Sequence, residues 1–178
     1  HESDIVPGKA NRSSAKFANE IFVSFPRTEY FAPQKMIVVG NPIRTKILDG
    51  SIEEAARIFE LSGDKSIVAI LGGSQGSQRV NDQILAILPE MVKHFEVIHQ
   101  TGEKNFVQVN AEAQTVVEKD KIGFYHPVPF LKETELRHAY AACDLIVSRA
   151  GSGSIFEIAA LHKPSILLPL PESAQNHQ

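Results

Sequence analysis

Short apolar runs, rich in β-branched residues, alternate with longer amphipathic stretches along most of this chain. The runs predict strands at residues 21–25, 36–39, 66–71, 95–99, 121–125, 145–148 and 165–168. The amphipathic stretches between several of them predict helices over residues 51–61, 80–92, 134–143 and 154–162. Strands separated by helices pair in parallel through right-handed crossovers. The sequence therefore predicts an α/β fold with a doubly wound parallel sheet.

The composition is that of a globular protein. Of the 178 residues, 43% are hydrophobic and 22% are charged, enough for one full domain and part of another. The formal net charge of -3 predicts no basic surface, so we expect no nucleic acid as a partner. The single Cys143 cannot form an internal disulfide, and the first residues do not resemble a signal peptide. These features favour the reducing cytoplasm, and the short apolar runs leave room only for peripheral membrane contact.

The chain carries signs of being an excerpt from a longer protein. It opens with His1 in place of a methionine, and it stops at Gln178 without a helix after the last predicted strand. Glycine and proline mark a domain boundary at 40–42, because proline disfavours a helix in the residue before it. We expect residues 1–40 to be the end of a preceding domain and residues 41–178 to be an incomplete second domain.

A glycine-rich turn follows the strand predicted at residues 66–71. It reads Gly72-Gly73-Ser74-Gln75-Gly76 and leads directly into a predicted helix. Glycines allow positive φ angles and close approach of a ligand, and a helix N-terminus attracts anions. The pattern is neither GxGxxG nor a P-loop, since no lysine follows the last glycine. It predicts either a phosphate-binding turn or a tight structural turn, and the sequence does not decide between them.

A second glycine- and serine-rich turn follows the strand predicted at residues 145–148. Here Arg149 could bind a phosphate or brace the turn, and Gly151 opens the turn for close approach. Ser154 and Glu157 match a capping box, in which Glu157 would serve the helix N-terminus alone. Alternatively, Glu157 could accept hydrogen bonds from both hydroxyls of a ribose. Both alternatives stay open, but two such turns at strand carboxyl ends favour a ligand site in the crevice of the sheet.

The sequence predicts neither a metal site nor a cofactor. The seven histidines show no paired spacing for zinc, and no second cysteine is present to complete such a site. No Asp-x-Asp element is available to hold a divalent ion on a diphosphate. A serine hydrolase is not expected. A bound diphosphate would therefore be neutralised by helix N-termini and by Arg or Ser side chains.

Several short motifs follow one another in order along the chain. They are Gly40-Asn41-Pro42-Ile43-Arg44, Gly72-Gly73-Ser74-Gln75-Gly76-Ser77, His99-Gln100-Thr101-Gly102, Tyr140-Ala141-Ala142-Cys143-Asp144 and Ser148-Arg149-Ala150-Gly151, with His1-Glu2 at the start and His177-Gln178 at the end. As an ordered set, these motifs resemble the MurG family of glycosyltransferases over essentially the whole chain. The resemblance implies a GT-B fold of two Rossmann-like domains. This chain would then be the donor-binding domain with the end of the acceptor-side domain.

The resemblance also implies an activity. Members of that family transfer N-acetylglucosamine from UDP-N-acetylglucosamine to lipid I, with inversion, and so form lipid II in peptidoglycan synthesis. The implied setting is the cytoplasmic face of the bacterial membrane, with peripheral contact made mainly by the acceptor-side domain. The general base is expected in that domain, and no cofactor is implied. The alternative is a non-catalytic module that binds a UDP-sugar or a partner, since fold alone does not fix function.

Residue roles carry over from the family motif by motif. Arg44 and Ser74 would line the uridine-diphosphate pocket, and Ser154 with Glu157 would open the helix that holds the ribose. The implied uracil contacts are near Phe130 and Leu131, and the family's late His-Gln pair matches His177 and Gln178, with Gln178 at the sugar hydroxyls. The chain departs from the family pattern at Ser3-Asp4, where the family has Gln-Asn, and at His162-Lys163, where it has a glycine. The first departure affects the acceptor side, so the donor side is the better supported half.

Overall fold

The structure, a computed structural model, describes residues 1–26, 29–73 and 76–170. The chain forms two compact units. The first contains His1–Ile43, Ala150–Phe156 and, of the described residues, Pro169 and Leu170. The second contains Arg44–Arg149 and Glu157–Leu168. The second unit holds the main sheet and is where most of the predicted site residues lie.

The first unit contains a short helix and two short parallel strands. These are α1 (Lys9–Ser14), β1 (Ile21–Val23) and β2 (Met36–Val38). Glu2 adds a single parallel bridge to Val23. Ile21, Val23 and Phe31 form a small apolar core beneath them. The two strands predicted in this part are confirmed, although each is shorter than predicted, and α1 was not predicted.

The second unit alternates strands and helices. Its strands are β3 (Ser66–Leu71), β4 (Phe95–Gln100), β5 (Tyr125–Val128), β6 (Leu145–Arg149) and β7 (Ser165–Leu168). The helices are α2 (Ile52–Phe59), α3 (Gln78–His94), α4 (Phe106–Val116), α5 (Glu133–Ala142) and α6 (Ser152–Ala160). Of these, α6 begins in the first unit and ends in the second.

The five strands form one parallel sheet in the order β5-β4-β3-β6-β7. The chain starts at the central β3, moves outward to β5, and then returns to the other side of β3 to lay down β6 and β7. Strand order therefore reverses between β3 and β6, and open α/β sheets bind ligands at such a switch point, beyond the carboxyl ends of the strands. The predicted doubly wound parallel sheet is confirmed.

The seam between β3 and β6 is lengthened by one side chain. The main-chain N–H of Ile67 donates to Oδ2 of Asp144 at 2.8 Å. The N–H of Asp144 in turn donates to the carbonyl of Ile67 at 2.8 Å. Asp144 thus acts like an additional strand residue and extends the pairing that begins between Val68 and Leu145.

Apolar side chains fill both faces of the sheet. On one face Ala69, Leu71 and Ile146 pack with residues of α2 and α5. On the other face Ile70 and Val97 pack with residues of α3 and α4. Helices cover both faces, which explains why β3 is a continuous apolar run and not an alternating one.

A buried carboxylate joins three segments near the amino ends of the strands. Glu96 is fully buried and accepts hydrogen bonds from the N–H of Ser62 at 2.9 Å and from its hydroxyl at 3.1 Å. Its Oε1 also lies 2.8 Å from Nε2 of His126 on β5. These contacts satisfy a charge that burial would otherwise make costly. They lie at the amino ends of the strands, whereas the switch point lies at the carboxyl ends.

Several elements of the second unit differ from the predictions. The strand predicted at residues 121–125 is wrong: Ile122–Phe124 is a 3-10 turn, and β5 follows it and includes Pro127. Proline lacks an N–H and is tolerated because β5 is an edge strand. Helix α4 was not predicted, because its apolar residues do not form a clear stripe. Helix α6 begins two residues earlier than predicted, at Ser152.

Candidate functional site

The candidate site lies at the carboxyl ends of the central strands in the second unit. Because β3, β4, β5 and β6 are parallel, the residues that follow or end them meet at one edge of the sheet. That edge presents the glycine-rich turn after β3, the loop after β4, the loop after β5, and Arg149 at the end of β6. The predicted residues Ser74 and Gln75 of the turn lie outside the described residues.

The glycines of this turn have different reasons for being there. Gly76 has φ +70°, and a Cβ at this position would lie 2.3 Å from the carbonyl oxygen of Thr101, so only glycine fits. Gly72 is also close-packed, since a Cβ there would lie 3.2 Å from the carbonyl oxygen of Gln100. Gly73 has φ +86°, and a Cβ there would have one described neighbour within 4 Å, Cγ of Arg149 at 3.7 Å. Packing explains Gly76 without a ligand, whereas Gly73 faces an arginine.

Arg149 brings an uncompensated donor to the switch point. It is the last residue of β6, and its Nη2 atom is buried without a hydrogen-bond partner within the described part of the chain. Buried donors of a guanidinium are ordinarily paired, because leaving one unpaired costs free energy. An anion beside the turn at Gly73 would supply the acceptor. The arrangement favours phosphate binding over simple bracing of the turn.

The side chain of Gln100 links two loops of the site. Its Nε2 donates to the carbonyl oxygen of Gly73 at 2.8 Å, and its Oε1 accepts from the N–H of Leu131 at 3.0 Å. One amide therefore connects the turn after β3 with the loop after β5, and β4 lies between those strands in the sheet. The sequence motif at residues 99–102 contained Gln100, but no role was predicted for it.

Arg44 and Glu157 form a bidentate ion pair although they are 113 residues apart. Nε of Arg44 donates to Oε1 of Glu157 at 2.7 Å, and Nη2 donates to Oε2 at 2.9 Å. The Glu157 side chain is 7% exposed and that of Arg44 is 46% exposed. Each carboxylate oxygen keeps a lone pair for a further donor, because an ionised carboxylate offers about four acceptor positions.

The ion pair affects the pKa values of two groups, Arg44 itself and Tyr140. The hydrogen bond to Glu157 raises the pKa of Arg44 further above its ordinary value. Burial raises the pKa of the Tyr140 phenol, and the negative charge of Glu157 raises it further. The site therefore holds a fixed carboxylate beside a permanent cation and a neutral phenol.

The capping-box alternative for Glu157 does not match the structure. Helix α6 starts at Ser152, so Ser154 lies inside the helix and not at its N-cap. The carboxylate of Glu157 accepts from Arg44 instead of from the start of the helix. The carboxylate is thus positioned by a distant side chain, and its remaining lone pairs stay available for hydroxyl groups.

The other predicted residues are distributed as follows. Phe130 is 39% exposed in the loop after β5, whereas Leu131 is 3% exposed and its side chain belongs to the apolar core. Gly151 and Ser154 lie in the first unit and are half-buried. The predicted residues His177 and Gln178 lie outside the described residues. Of the two residues predicted to contact uracil, Phe130 has an exposed side chain, whereas the main-chain N–H of Leu131 donates to Gln100.

Neither a metal-binding cluster nor a membrane-spanning helix is found in the described residues, 1–26, 29–73 and 76–170. Within those ranges, His, Cys, Asp and Glu side chains form no group of three or more that could hold a metal ion. Within the same ranges, no helix combines the length and apolar character needed to cross a membrane.

Comparison with protein families identifies the group to which the chain belongs. The family described as the glycosyltransferase family 28 C-terminal domain matches residues 67–178. The match includes the glycine-rich turn, Gln100, Arg149 and Glu157.

The chain belongs to glycosyltransferase family 28.

Two relatives carry the same name. The UDP-N-acetylglucosamine--N-acetylmuramyl-(pentapeptide) pyrophosphoryl-undecaprenol N-acetylglucosamine transferase of Thermodesulfovibrio yellowstonii is 35% identical over 181 residues, covering 99% of this chain and 48% of the relative. The transferase of that name from Clostridium botulinum is 39% identical over 175 residues, covering 98% of this chain and 46% of the relative. The family 28 chain thus spans about half the length of the curated relatives it matches.

A solved structure supports the fold. The crystal structure of MurG from Acinetobacter baumannii superposes with a TM-score of 0.72 at 23% identity, covering 100% of this chain and 47% of that one. Together with the family match, this confirms the predicted GT-B type of glycosyltransferase fold with a Rossmann-like parallel sheet. The resemblance stated from the sequence motifs is confirmed as well.

Sequence reasoning missed two features of this family 28 site. One is Gln100, whose signal in the sequence was a polar residue directly after the strand predicted at residues 95–99. The other is Asn81 in the first turns of α3, which is fully buried and whose Nδ2 donates to the carbonyl oxygen of Thr101 at 2.9 Å. Gln100 attaches the glycine-rich turn to the end of β4, and Asn81 attaches the helix that follows the turn to the loop after β4.

Proposed function

We propose that this chain supplies the donor site of an inverting glycosyltransferase that transfers N-acetylglucosamine from UDP-N-acetylglucosamine to lipid I, forming lipid II. The observation that carries the proposal is the buried Nη2 of Arg149, which has no hydrogen-bond partner among the described residues and lies beside the positive-φ turn at Gly73. Family membership and the names of the relatives give the sugar nucleotide and the lipid-linked acceptor. The site geometry supports a place for the diphosphate and for the nucleoside.

The diphosphate binds at the turn after β3. We assign Gly72, Gly73, Ser74, Gln75 and Gly76 to this subsite, Ser74 and Gln75 from the resemblance alone, and α3 directs the positive end of its dipole toward it. The N–H of Gly76 is committed to the carbonyl oxygen of Gly73 at 3.1 Å and shapes the turn. The guanidinium of Arg149 adds the charge. An arginine can contact two phosphate oxygens at once, and such charge-assisted bonds are the stronger class.

The nucleoside binds beside the diphosphate. Glu157 accepts hydrogen bonds from the ribose hydroxyls while Arg44 holds its carboxylate in place. Phe130 contacts uracil with its ring, and Leu131 fixes that loop through its main chain. Gly151, Ser154, His177 and Gln178 enter the proposal from the resemblance alone, with Gln178 at the sugar hydroxyls.

The reaction needs a clamp for the leaving group. The acceptor hydroxyl attacks the anomeric carbon from the face opposite the diphosphate, the bond from that carbon to the phosphate oxygen breaks, and the electron pair stays on UDP. Arg149 and the N–H groups of the turn stabilise the charge that builds there, in an arrangement that is already in place before the reaction. The hydroxyl proton passes to a general base that we assign to the acceptor-side domain of the complete protein. No metal ion is required for this step.

Domain organisation and setting belong to the same proposal. We assign residues 1–40 to the end of the acceptor-side domain and residues 41–178 to the donor-binding domain. The undecaprenol in the relatives' names supports a lipid-linked acceptor, and so a peripheral position at the cytoplasmic face of the bacterial membrane. The acidic net charge supports the absence of nucleic acid among the partners.

Calorimetric titration of the 178-residue chain tests the proposal. The ligands are UDP-N-acetylglucosamine, UDP-glucose and UDP, each without metal and then with Mg²⁺. We expect saturable binding that prefers the acetamido sugar and does not depend on Mg²⁺. A folded chain that binds none of the three would contradict the donor site, and equal binding of both sugars would contradict the choice of donor.

A further inference from the structure

We propose that Gln100 is a positioning residue that fixes the distance between the phosphate-binding turn and the nucleoside-binding loop. The inference rests on the proposed function, because it assigns the two loops to the two halves of UDP. It goes beyond that function because it names the side chain that holds the two subsites at a fixed separation.

The hydrogen bonds of Gln100 require an amide. Its Nε2 donates to the carbonyl oxygen of Gly73, and its Oε1 accepts from the N–H of Leu131. A carboxylate offers acceptors only, and an apolar side chain offers neither function. The residue is 5% exposed, so water cannot readily replace either bond. Only glutamine among similar side chains keeps both loops attached.

The two hydrogen bonds of Gln100 attach β4 to the loops that follow its two neighbouring strands, β3 and β5. Gly73 follows β3, and Leu131 follows β5, and these strands flank β4 in the sheet. The next residue strengthens the link, since the N–H of Thr101 donates to the carbonyl oxygen of Val128 at 3.0 Å. The buried side chain of Leu131 anchors the far end in the core. The end of β4 therefore fixes both loops to one rigid strand.

The bond to Gly73 also has an electrostatic consequence. A carbonyl oxygen is the negative end of the peptide dipole, and it would repel a phosphate if it faced the anion site. This carbonyl accepts from Nε2 of Gln100 at 2.8 Å and from the N–H of Gly76 at 3.1 Å, so its oxygen is directed toward β4 and the turn itself. Peptide N–H groups and Arg149 can then face the anion without an opposing oxygen from Gly73.

A ligand with two connected halves is sensitive to the distance between its subsites. When the subsites are held at the right separation, the second half binds without a new loss of translational freedom. If the two loops move independently, the uridine half and the diphosphate half of the ligand each bind as before. The gain in affinity that comes from linking the two halves is then smaller. Loss of the Gln100 amide should therefore weaken UDP much more than uridine or inorganic diphosphate.

The experiment compares Gln100→Leu and Gln100→Glu with the unmodified chain. Uridine, inorganic diphosphate and UDP are titrated into each, well below the melting temperature. We expect both variants to lose about tenfold in UDP affinity while uridine and diphosphate change less than about twofold. Gln100→Glu keeps the acceptor for Leu131 but turns an oxygen toward the carbonyl of Gly73, so its loss of UDP affinity should be at least as large.

A control and a second readout separate positioning from a general effect on stability. Gln108→Leu makes the same chemical change at an exposed position of α4, where the amide donates to Oε1 of Glu112 at 2.8 Å, and should leave all three affinities unchanged. Hydrogen exchange of the Leu131 amide should be faster in Gln100→Leu than in Gln100→Glu, since only the latter keeps the acceptor.

The outcomes are distinct. Selective loss of UDP affinity in both Gln100 variants supports the inference. Equal loss for all three ligands, or no loss for any, overturns it while the donor site of the unmodified chain stands. If the unmodified chain itself fails to bind UDP, the proposed function fails and the inference falls with it.

Discussion

The ion pair between Arg44 and Glu157 should respond very differently to the loss of each partner. Glu157→Ala leaves an arginine whose side chain is already 46% exposed and which water can solvate. Arg44→Ala leaves a carboxylate that is only 7% exposed and has lost both charge-assisted hydrogen bonds. Because the two residues differ in burial, the order of the two effects follows from the structure.

The magnitudes follow from these exposures. Removing one partner of a fully buried ion pair costs about 3–5 kcal/mol, because a buried charge is left unpaired. The exposure of Arg44 means that water already screens this pair, so we lower the expected cost of Arg44→Ala to about 2 kcal/mol. Glu157→Ala should cost about 0.5–1 kcal/mol, as for a pair at the surface. The double variant should be more stable than Arg44→Ala by about 1 kcal/mol, since the unpaired carboxylate is gone.

Urea unfolding of the four proteins at neutral pH measures these differences through the transition midpoints at a shared slope. Arg57→Ala serves as a control, because its pair with Glu54 is exposed on both sides and its loss should leave the transition midpoint nearly unchanged. The reasoning would be refuted if Glu157→Ala destabilised the chain as much as Arg44→Ala. Strict additivity in the double variant would refute it equally, since the two side chains would then not be coupled.

Three further predictions concern single positions. Gly76→Ala should lower the free energy of unfolding by more than about 2 kcal/mol, because the new Cβ would clash with Thr101 at a position of positive φ. Gly63→Ala is the control: its φ is +78° but the space around it is open, so it should cost about 1 kcal/mol in the same urea assay. Burial lowers the pKa of His99 to about 4, so between that pH and about 6.5 the unfolded chain binds more protons than the native chain. The free energy of unfolding should therefore fall on acidification by up to about 1.4 kcal/mol per pH unit in this range. His99→Phe should flatten this pH dependence, and an unchanged slope would mean that another group causes it. Burial raises the pKa of the Cys143 thiol to about 11, so iodoacetamide should label it much more slowly in the native chain than in urea, and equal rates would contradict its burial.

Local signals predicted most of the regular structure. The strands β3 and β7 have the predicted bounds, because Lys65 and Gly72 delimit the first apolar run and two prolines, Pro164 and Pro169, delimit the second. Ser51 caps α2 by accepting from the N–H of Glu54 at 3.1 Å, as the Ser-x-x-Glu pattern suggests. The strand at residues 121–125 was misplaced, because the edge position that tolerates Pro127 is a property of the whole sheet.

The chemistry of the site was predictable only where it is local. The turn after β3 and Arg149 after β6 follow directly from glycine and charge patterns beside strands. The pairing of Arg44 with Glu157 joins residues 113 positions apart, and nothing in either local sequence indicates the other. The bridge through Gln100 depends on the strand order, which places β4 between β3 and β5. Contacts of this kind are set by tertiary packing.

The seam between β3 and β6 has a consequence for how the protein folds. Ile67 and Asp144 are 77 residues apart, and pairings of such high sequence separation form slowly because a long loop must first be closed. The turn at Gly73 is made early in the chain, but Arg149 reaches it only when this closure is complete. During synthesis, a chain that has not yet produced β6 therefore carries a glycine turn without its cation. Affinity for the nucleotide should appear as a late event in folding, together with protection of the Ile67 amide from exchange.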